Sequence, residues 1–238
     1  NANKHKFSKI KYKYNLGGKR ILVEYFDTKG KYKEDASGIA KYVYTYDARG
    51  NRLTASFFGA NEKPKENKEG IASESFTYDY TSSDKGKLIL QESFDKKGMP
   101  KENSKGIAKT LYNYDKKGNR TLTEFRDANG KLKEDGKGFA KYIFEYANDG
   151  TVILEEEYGK DGKLKLDPAD GIARTTSEIE VKGDNTYKTT RFFDTEGKLK
   201  INEVLEVAIV KTTTTISKDG KEIKTEYFDT ENKPKFSG

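Results

Sequence analysis

The stretch Gly38-Ile39-Ala40-Lys41-Tyr42-Val43-Tyr44-Thr45-Tyr46-Asp47-Ala48-Arg49-Gly50-Asn51-Arg52 decides the fold. Tyr42, Tyr44 and Tyr46 alternate with Val43 and Thr45, the period of two that puts one set on one face of a strand. Asp47 opens a turn through its side chain, and Gly50 supplies the positive φ that closes it. The residues that follow, Arg52 to Phe58, form a second strand. The local prediction is a β-hairpin.

Working outward, the same text recurs. The Gly-Ile/Phe-Ala lead returns at Gly70-Ile71-Ala72, Gly106-Ile107-Ala108, Gly138-Phe139-Ala140 and Gly171-Ile172-Ala173, with a decayed copy at Glu206-Val207-Ala208. The alanines fall 32 to 36 residues apart. The aromatic slots are refilled by Tyr12 and Tyr14, by Tyr112 and Tyr114, and by Phe144 and Tyr146. A second Asp-x-x-Gly turn closes four of the hairpins, at Asp27 to Gly30, Asp95 to Gly98, Asp127 to Gly130 and Asp194 to Gly197. A polar bridge such as Lys33-Glu34-Asp35 then leads to the next unit. No segment offers helical spacing over a useful length; Ile201 to Val210 reads as a decayed linker joined to a strand.

A lone hairpin is marginal in water, but stacked hairpins bury their aromatic rows against neighbours. The expected fold is all-β: an elongated array of about seven β-hairpin repeats, a single-layer or slim solenoid antiparallel sheet. One continuous repeat domain over 1–238 is expected, with units of about 1–40, 41–72, 73–108, 109–140, 141–173, 174–208 and 209–238. The composition agrees with a thin core: hydrophobic residues are 33% and charged ones 36% of 238 residues.

The inventory excludes much chemistry. There is no Cys, so no disulfide and no thiolate metal site; His5 is the only His, which removes His-based zinc sites and Ser-His-Asp catalysis. The carboxylates recur with the unit instead of clustering once, so the expectation is no enzyme, no catalytic residue, no cofactor and no metal. The Asp-x-x-Gly turns lack the alternating oxygen ligands of a calcium loop. The one irregular segment, around Thr81 to Asp84, reads as a flexible loop. The chain carries a net charge of +7 from 46 basic and 39 acidic residues. Most of the basic residues are lysine, which weighs against nucleic acid as a partner, since base and phosphate readers lean on Arg. No run approaches the length of a transmembrane segment.

Two stretches, Tyr44 to Arg52 and Tyr112 to Arg120, resemble the YD repeats of bacterial Rhs-type shells. The lead Glu69-Gly70-Ile71-Ala72 resembles bacterial WG repeats without their Trp. The Lys/Glu-rich, Cys-free β composition is similar to outer-surface lipoproteins of spirochaetes. These resemblances imply a bacterial repeat protein, extracellular, outer-surface or periplasmic. A lipid anchor upstream of residue 1 is compatible with them. They bring over no catalytic residue.

Two sets of residues are candidates for binding. Lys31, Lys63, Lys131, Lys163, Lys198 and Lys233 follow the second turn of six units and should line one edge of the array. Such a line attracts anionic polymers through a salt-sensitive field. Glu34, Glu66, Glu102 and Glu134 lie close in sequence and are expected to neutralise part of it. Tyr44, Tyr46, Tyr112 and Tyr114 could stack sugars, although cross-strand packing is the favoured reading, since the aromatic rows recur in register. The function expected is a non-enzymatic surface or envelope protein that binds a macromolecule through its β surface: a protein, a sulfated glycan or a cell-wall component. A purely structural spacer or shell segment, and a carbohydrate-binding module using exposed tyrosines, are the alternatives.

Overall fold

A computed structural model describes residues 7–81, 83–217 and 220–235. His5, Ser82 in the irregular loop and the terminal Gly238 lie outside the described residues. The described residues are all-β, with fifteen strands and no helix. They are β1 (Lys9–Tyr14), β2 (Arg20–Phe26), β3 (Lys41–Tyr46), β4 (Arg52–Phe58), β5 (Ser73–Asp79), β6 (Lys87–Phe94), β7 (Lys109–Tyr114) and β8 (Arg120–Arg126). Then come β9 (Lys141–Tyr146), β10 (Val152–Tyr158), β11 (Arg174–Lys182), β12 (Asn185–Phe193), β13 (Ile209–Ser217), β14 (Gly220–Phe228) and the two-residue β15 (Pro234–Lys235).

The chain divides into two units, residues 1–118 with 124–136, and residues 119–123 with 137–238. Within the first, β1 to β7 pair antiparallel in chain order; within the second, β9 to β15 do the same. Each odd strand from β3 to β13 opens on the residue after a lead alanine. Ile201 to Val210 is a linker that runs into β13, with no helical turn.

The turn at the far end of each hairpin follows from its residues. The Asp47 Oδ1 accepts the Arg49 N–H at 2.9 Å and the Asn51 N–H at 2.8 Å, while Gly50 sits at φ 85°. The register shifts between Thr45 and Tyr46, the bulge that accompanies this turn.

The linkers are more structured than a polar bridge. Phe26 faces Tyr32 across the second turn, so Glu24 should face Glu34; it faces Lys41 instead. Seven residues have left the ladder. The same displacement occurs where Phe58 faces Pro64 but Ser56 faces Ser73, and where Phe94 faces Pro100 but Glu92 faces Lys109. In the second unit it is eight residues, between Tyr158–Leu164 and Glu156–Arg174. In the first unit each excursion is closed by one side chain; the insert before β11 uses two, Asp167 for the Ala169 N–H and Asp170 for the Ile172 N–H. The Asp35 Oδ1 accepts the N–H groups of Ser37 at 2.8 Å and Ile39 at 3.1 Å; Asn67 and Asn103 do the same for Glu69 and Ile71, and for Lys105 and Ile107. The excursion buries the lead motif. Ile39, Ala40, Phe139 and Ala140 are each 0% exposed, and every other lead Ala and the residue before it is buried.

Ala40 shows why the position is small. Its N–H donates to the Phe58 carbonyl at 2.9 Å and its carbonyl accepts the Tyr25 N–H at 3.0 Å, so strands flank it on both sides. Ile39 then joins Ala55, Phe57 and Ile71 in a cluster against which Tyr42 and Tyr44 pack. The core is this series of small clusters, one insert folded over one hairpin face.

Candidate functional site

The even strands all run in one direction within each unit, so their closing turns share one sheet edge. Lys31, Lys63, Lys131, Lys163, Lys198 and Lys233 close those turns and all are exposed. Their backbone N–H groups are fixed by the turn carboxylates and amides: Lys31 by Asp27 at 2.9 Å, Lys63 by Asn61 at 3.0 Å, Lys131 by Asp127 at 2.9 Å. Lys163, Lys198 and Lys233 are held likewise by Asp161, Asp194 and Asp229. The two backbone N–H groups on Asp27, led by that of Lys31, hold its carboxyl below the usual carboxylate range. Successive turns of this kind lie two strand spacings apart, about 10 Å.

The ammonium groups differ. Lys198 pairs with Glu196 at 2.6 Å and Lys233 pairs with Glu231. Among the described residues Lys31, Lys63, Lys131 and Lys163 have no carboxylate within ion-pair distance. Two of the expected neutralisers point elsewhere. Glu34 pairs with Lys65 at 2.5 Å and Glu102 with Lys133 at 3.9 Å, each reaching the linker of the following hairpin. These pairs stitch insert to insert and leave the turn lysines to solvent. In the third hairpin Met99 stands where the lysine would be, 61% exposed.

The tyrosines are half-buried. Tyr44 packs on the Ile39 cluster, with the Arg52 guanidinium 4.9 Å from its ring centre. The Tyr46 hydroxyl donates to the Arg20 carbonyl and the Tyr114 hydroxyl to the Leu88 carbonyl, both at 3.0 Å. Tyr146 does the same to Arg120. These hydroxyls tie each hairpin to the backbone of the strand before it. Tyr112 is half-buried in the slot equivalent to Tyr44.

An irregular acidic hollow exists that the even distribution of carboxylates did not suggest. Glu155, Glu157, Asp167 and Asp170 line an open hollow in the second unit, with Ile172, Ala173, Arg174 and Thr175. Glu155 and Glu157 occupy the strand slots held by Ala55 and Phe57 in β4 and by Val23 and Tyr25 in β2. Two carboxylates thus replace an apolar pair beneath an insert that itself contributes two more. Burial, reinforced by Asp167 and Glu155, pushes the Glu157 carboxyl up to about 8; burial and Asp170 raise Glu155 too. Arg174 is turned to Glu156 on the opposite face at 2.6 Å. The run Glu155-Glu156-Glu157 in an otherwise alternating strand was the available signal. Among the described residues no group of three or more His, Cys, Asp or Glu is arranged to hold a metal ion.

The irregular loop after β5 is anchored at its flanks. The Tyr80 hydroxyl donates to the Asp47 carboxylate, Arg49 lies 4.2 Å from the Tyr80 ring centre, and the Asn51 amide donates to the Lys85 carbonyl at 2.7 Å. The Tyr80 hydroxyl and the backbone N–H of Asn51 hold the Asp47 carboxyl down at about 2.

No protein-family model matches the chain, and no curated protein matches it in sequence. Among solved structures, the crystal structure of TcdB2-TccC3-Cdc42 aligns at 12% identity with a TM-score of 0.21, over 94% of this chain. This chain spans 13% of the length of that one. No helix in the described residues is long and apolar enough to cross a membrane.

Proposed function

We propose that the chain is a non-enzymatic bacterial surface or envelope scaffold that binds an anionic macromolecule, a sulfated glycan or an acidic cell-wall polymer, through its repeated turn edge. The observation that carries this reading is the recurrence of an exposed, carboxylate-free lysine at the same corner of successive hairpins: Lys31 and Lys63, then Lys131, and Lys163 in the second unit. A polymer with charges at regular intervals engages several such corners at once, and each added contact is intramolecular. The surface location rests on the composition and the resemblance to spirochaete and Rhs-type proteins, and a tag-accessibility assay on intact cells of the source tests it.

Heparin serves as the probe. Binding should weaken steeply with salt, and charge reversal at Lys31, Lys63 and Lys131 together should flatten the dependence of log K on log salt by about one unit per lysine. Binding that survives the triple reversal, or that ignores salt, removes the reading. The structural alternative, a spacer with no ligand, is favoured by the tyrosine hydroxyls that are spent on neighbouring backbone. The same ties weigh against a sugar platform on Tyr46 and Tyr114.

A further inference from the structure

β11 to β14 run nine residues each, against six to eight in β1 to β10. The extra length lies at the first-turn end, since β9 and β11 both open directly after a lead alanine and run six and nine residues. Near the inserts one face of these strands is core. Phe192 is buried with Ile172 and Val207, and Val210 and Tyr227 pack against them. Directly paired residues share a face, so the ladder traces that face outward. Val181 faces Thr186, Thr186 faces Thr214, and Thr214 faces Ile223, a single row across four strands. In the row inside it Lys188 faces Thr212, and in the row outside it Ile216 faces Lys221.

These outer rows are bare. Val181 is 68%, Ile216 62% and Ile223 57% exposed. Their charge is one-sided. Lys188 and Lys221 stand on this face of β11 to β14 and no Asp or Glu does, while Glu178, Glu180, Glu222 and Glu226 all stand on the opposite face. On that opposite face Lys182 pairs with Glu180 at 2.9 Å and Lys224 with Glu226 at 3.2 Å. Among the described residues neither Lys188 nor Lys221 has a carboxylate within ion-pair distance. Continuation of the array does not cover the face. A further hairpin would pair beside β14 in the plane of the sheet, as β13 pairs beside β12, and not over it.

We infer that this face docks an acidic amphipathic helix of a partner protein, with the helix's apolar stripe on Val181, Ile216 and Ile223 and its carboxylates beside Lys188 and Lys221. A sheet with one apolar face is completed by an element laid over it, and a helix about 10 Å across fits the bare area. That area is about 20 Å by 20 Å, or roughly 400 Å². A standard protein interface buries about 800 Å² on each partner, so the face is too small to hold a second copy alone. A second copy would also bring more lysine and no carboxylate to the contact, leaving every cation there without its complement. An anionic bilayer or polymer reaching this end of the hairpins would meet Glu178, Glu180 and Glu222 together with the lysines. A helix touches the one face alone.

Two labelled helical peptides test this on the full chain by fluorescence polarisation. Both carry Leu at i, i+3, i+4 and i+7; one flanks that stripe with Glu and the other with Lys. The Glu peptide should bind about tenfold more tightly than the Lys peptide. Reversal of Lys188 and Lys221 to Glu should invert that preference, which a merely structural role for the two lysines does not predict. Val181→Asp combined with Ile223→Asp should abolish binding, and both side chains are exposed, so the fold should be retained. In the unmodified protein the Glu peptide should shift the methyl resonances of Val181, Ile216 and Ile223 and leave those of Val23 and Ile39 in place, a readout that needs no variant. Reversal of Lys31, Lys63 and Lys131 should leave the peptide bound, which separates this face from the turn edge. Several results overturn the inference: equal binding of both peptides, binding of neither, or methyl shifts confined to other residues. Dimerisation of the chain, or binding to phosphatidylglycerol vesicles, that is lost with Val181→Asp and Ile223→Asp overturns it as well, by giving the face to another occupant.

Discussion

Single residues set local strain in this chain, and two of them are misfits by the chain's own standard. Gly70 and Gly106 take φ 80° and 74° at the lead position, whereas the decayed copy places Glu206 there at φ 59°. Glu62 stands at φ 60° where most other second turns have Gly and the last has Asn232. A side chain in this region costs about 1–2 kcal/mol, partly offset by the extra freedom that Gly has when unfolded. Glu206→Gly and Glu62→Gly should each raise stability by about 0.5–1 kcal/mol in urea unfolding; a loss in either would show that the Glu side chain makes a contact that outweighs its backbone. At the opposite extreme is Ile39, with no exposed surface. Ile39→Ala should cost about 2–5 kcal/mol, most visibly as lost protection in β2 to β4.

Glu157 is a residue-scale anomaly with a pH signature. Its folded carboxyl titrates near 8 against an ordinary value of 4.5, because burial and the neighbouring Asp167 and Glu155 disfavour its charge. The folded state therefore holds the proton more tightly. The stability gained from it is fully present below about 4.5, declines as pH rises, and is lost once pH passes about 8. The charged groups around it are Glu155 on its own strand, Asp167 and Asp170 on the insert, Lys137 ahead of β9, and Arg174, which is committed to Glu156. Thermal unfolding followed from pH 5 to pH 9 should show a fall in the midpoint of the second unit that Glu157→Gln reduces. Glu157→Phe, which restores the residue type of Phe57, should raise stability at every pH; an unchanged profile in both variants would mean the hollow is wet enough to solvate the carboxylate.

At the scale of the element, the unit of construction is a hairpin whose returning strand is interrupted. The seven displaced residues of the first unit's inserts are organised by one Asx side chain that accepts two backbone N–H groups. Asn67→Ala should remove both and cost about 1–2 kcal/mol, while Asn67→Asp should be nearly neutral because Asp35 fills the same role. Comparing the two variants by denaturant midpoint distinguishes the cap from general tolerance of the loop; equal losses would discount the cap. Much of this element was legible early. Alternation at Tyr42, Tyr44 and Tyr46 and the Asp47 to Gly50 turn specify a hairpin without reference to anything distant. The insert was legible only as polar text. Nothing in Lys33-Glu34-Asp35 says that the ladder resumes seven residues later, because register is fixed by the opposite strand.

At the scale of the whole molecule, stability is distributed over small clusters, each made by the lead residues of two successive inserts and the strand between them. Surface charge is distributed in the same manner. Glu34–Lys65 and Glu102–Lys133 join consecutive inserts, and Lys31, Lys63, Lys131 and Lys163 remain outside them. The heparin experiment belongs to this scale, since the attraction sums over corners that no single hairpin contains.

The sequence by itself determined the period, the strands and the turns, because alternation, Asp side chains and Gly backbone freedom act within a few residues. Within each unit, antiparallel pairing in chain order also puts the turn lysines at the same end of their hairpins. Only the tertiary structure decided that Glu34 and Glu102 stay away from those lysines, that the tyrosine hydroxyls are spent on neighbouring strands, and that Glu155 and Glu157 share a hollow with Asp167 and Asp170. Each of these depends on which face an insert covers and which residue stands opposite, and those are properties of paired strands.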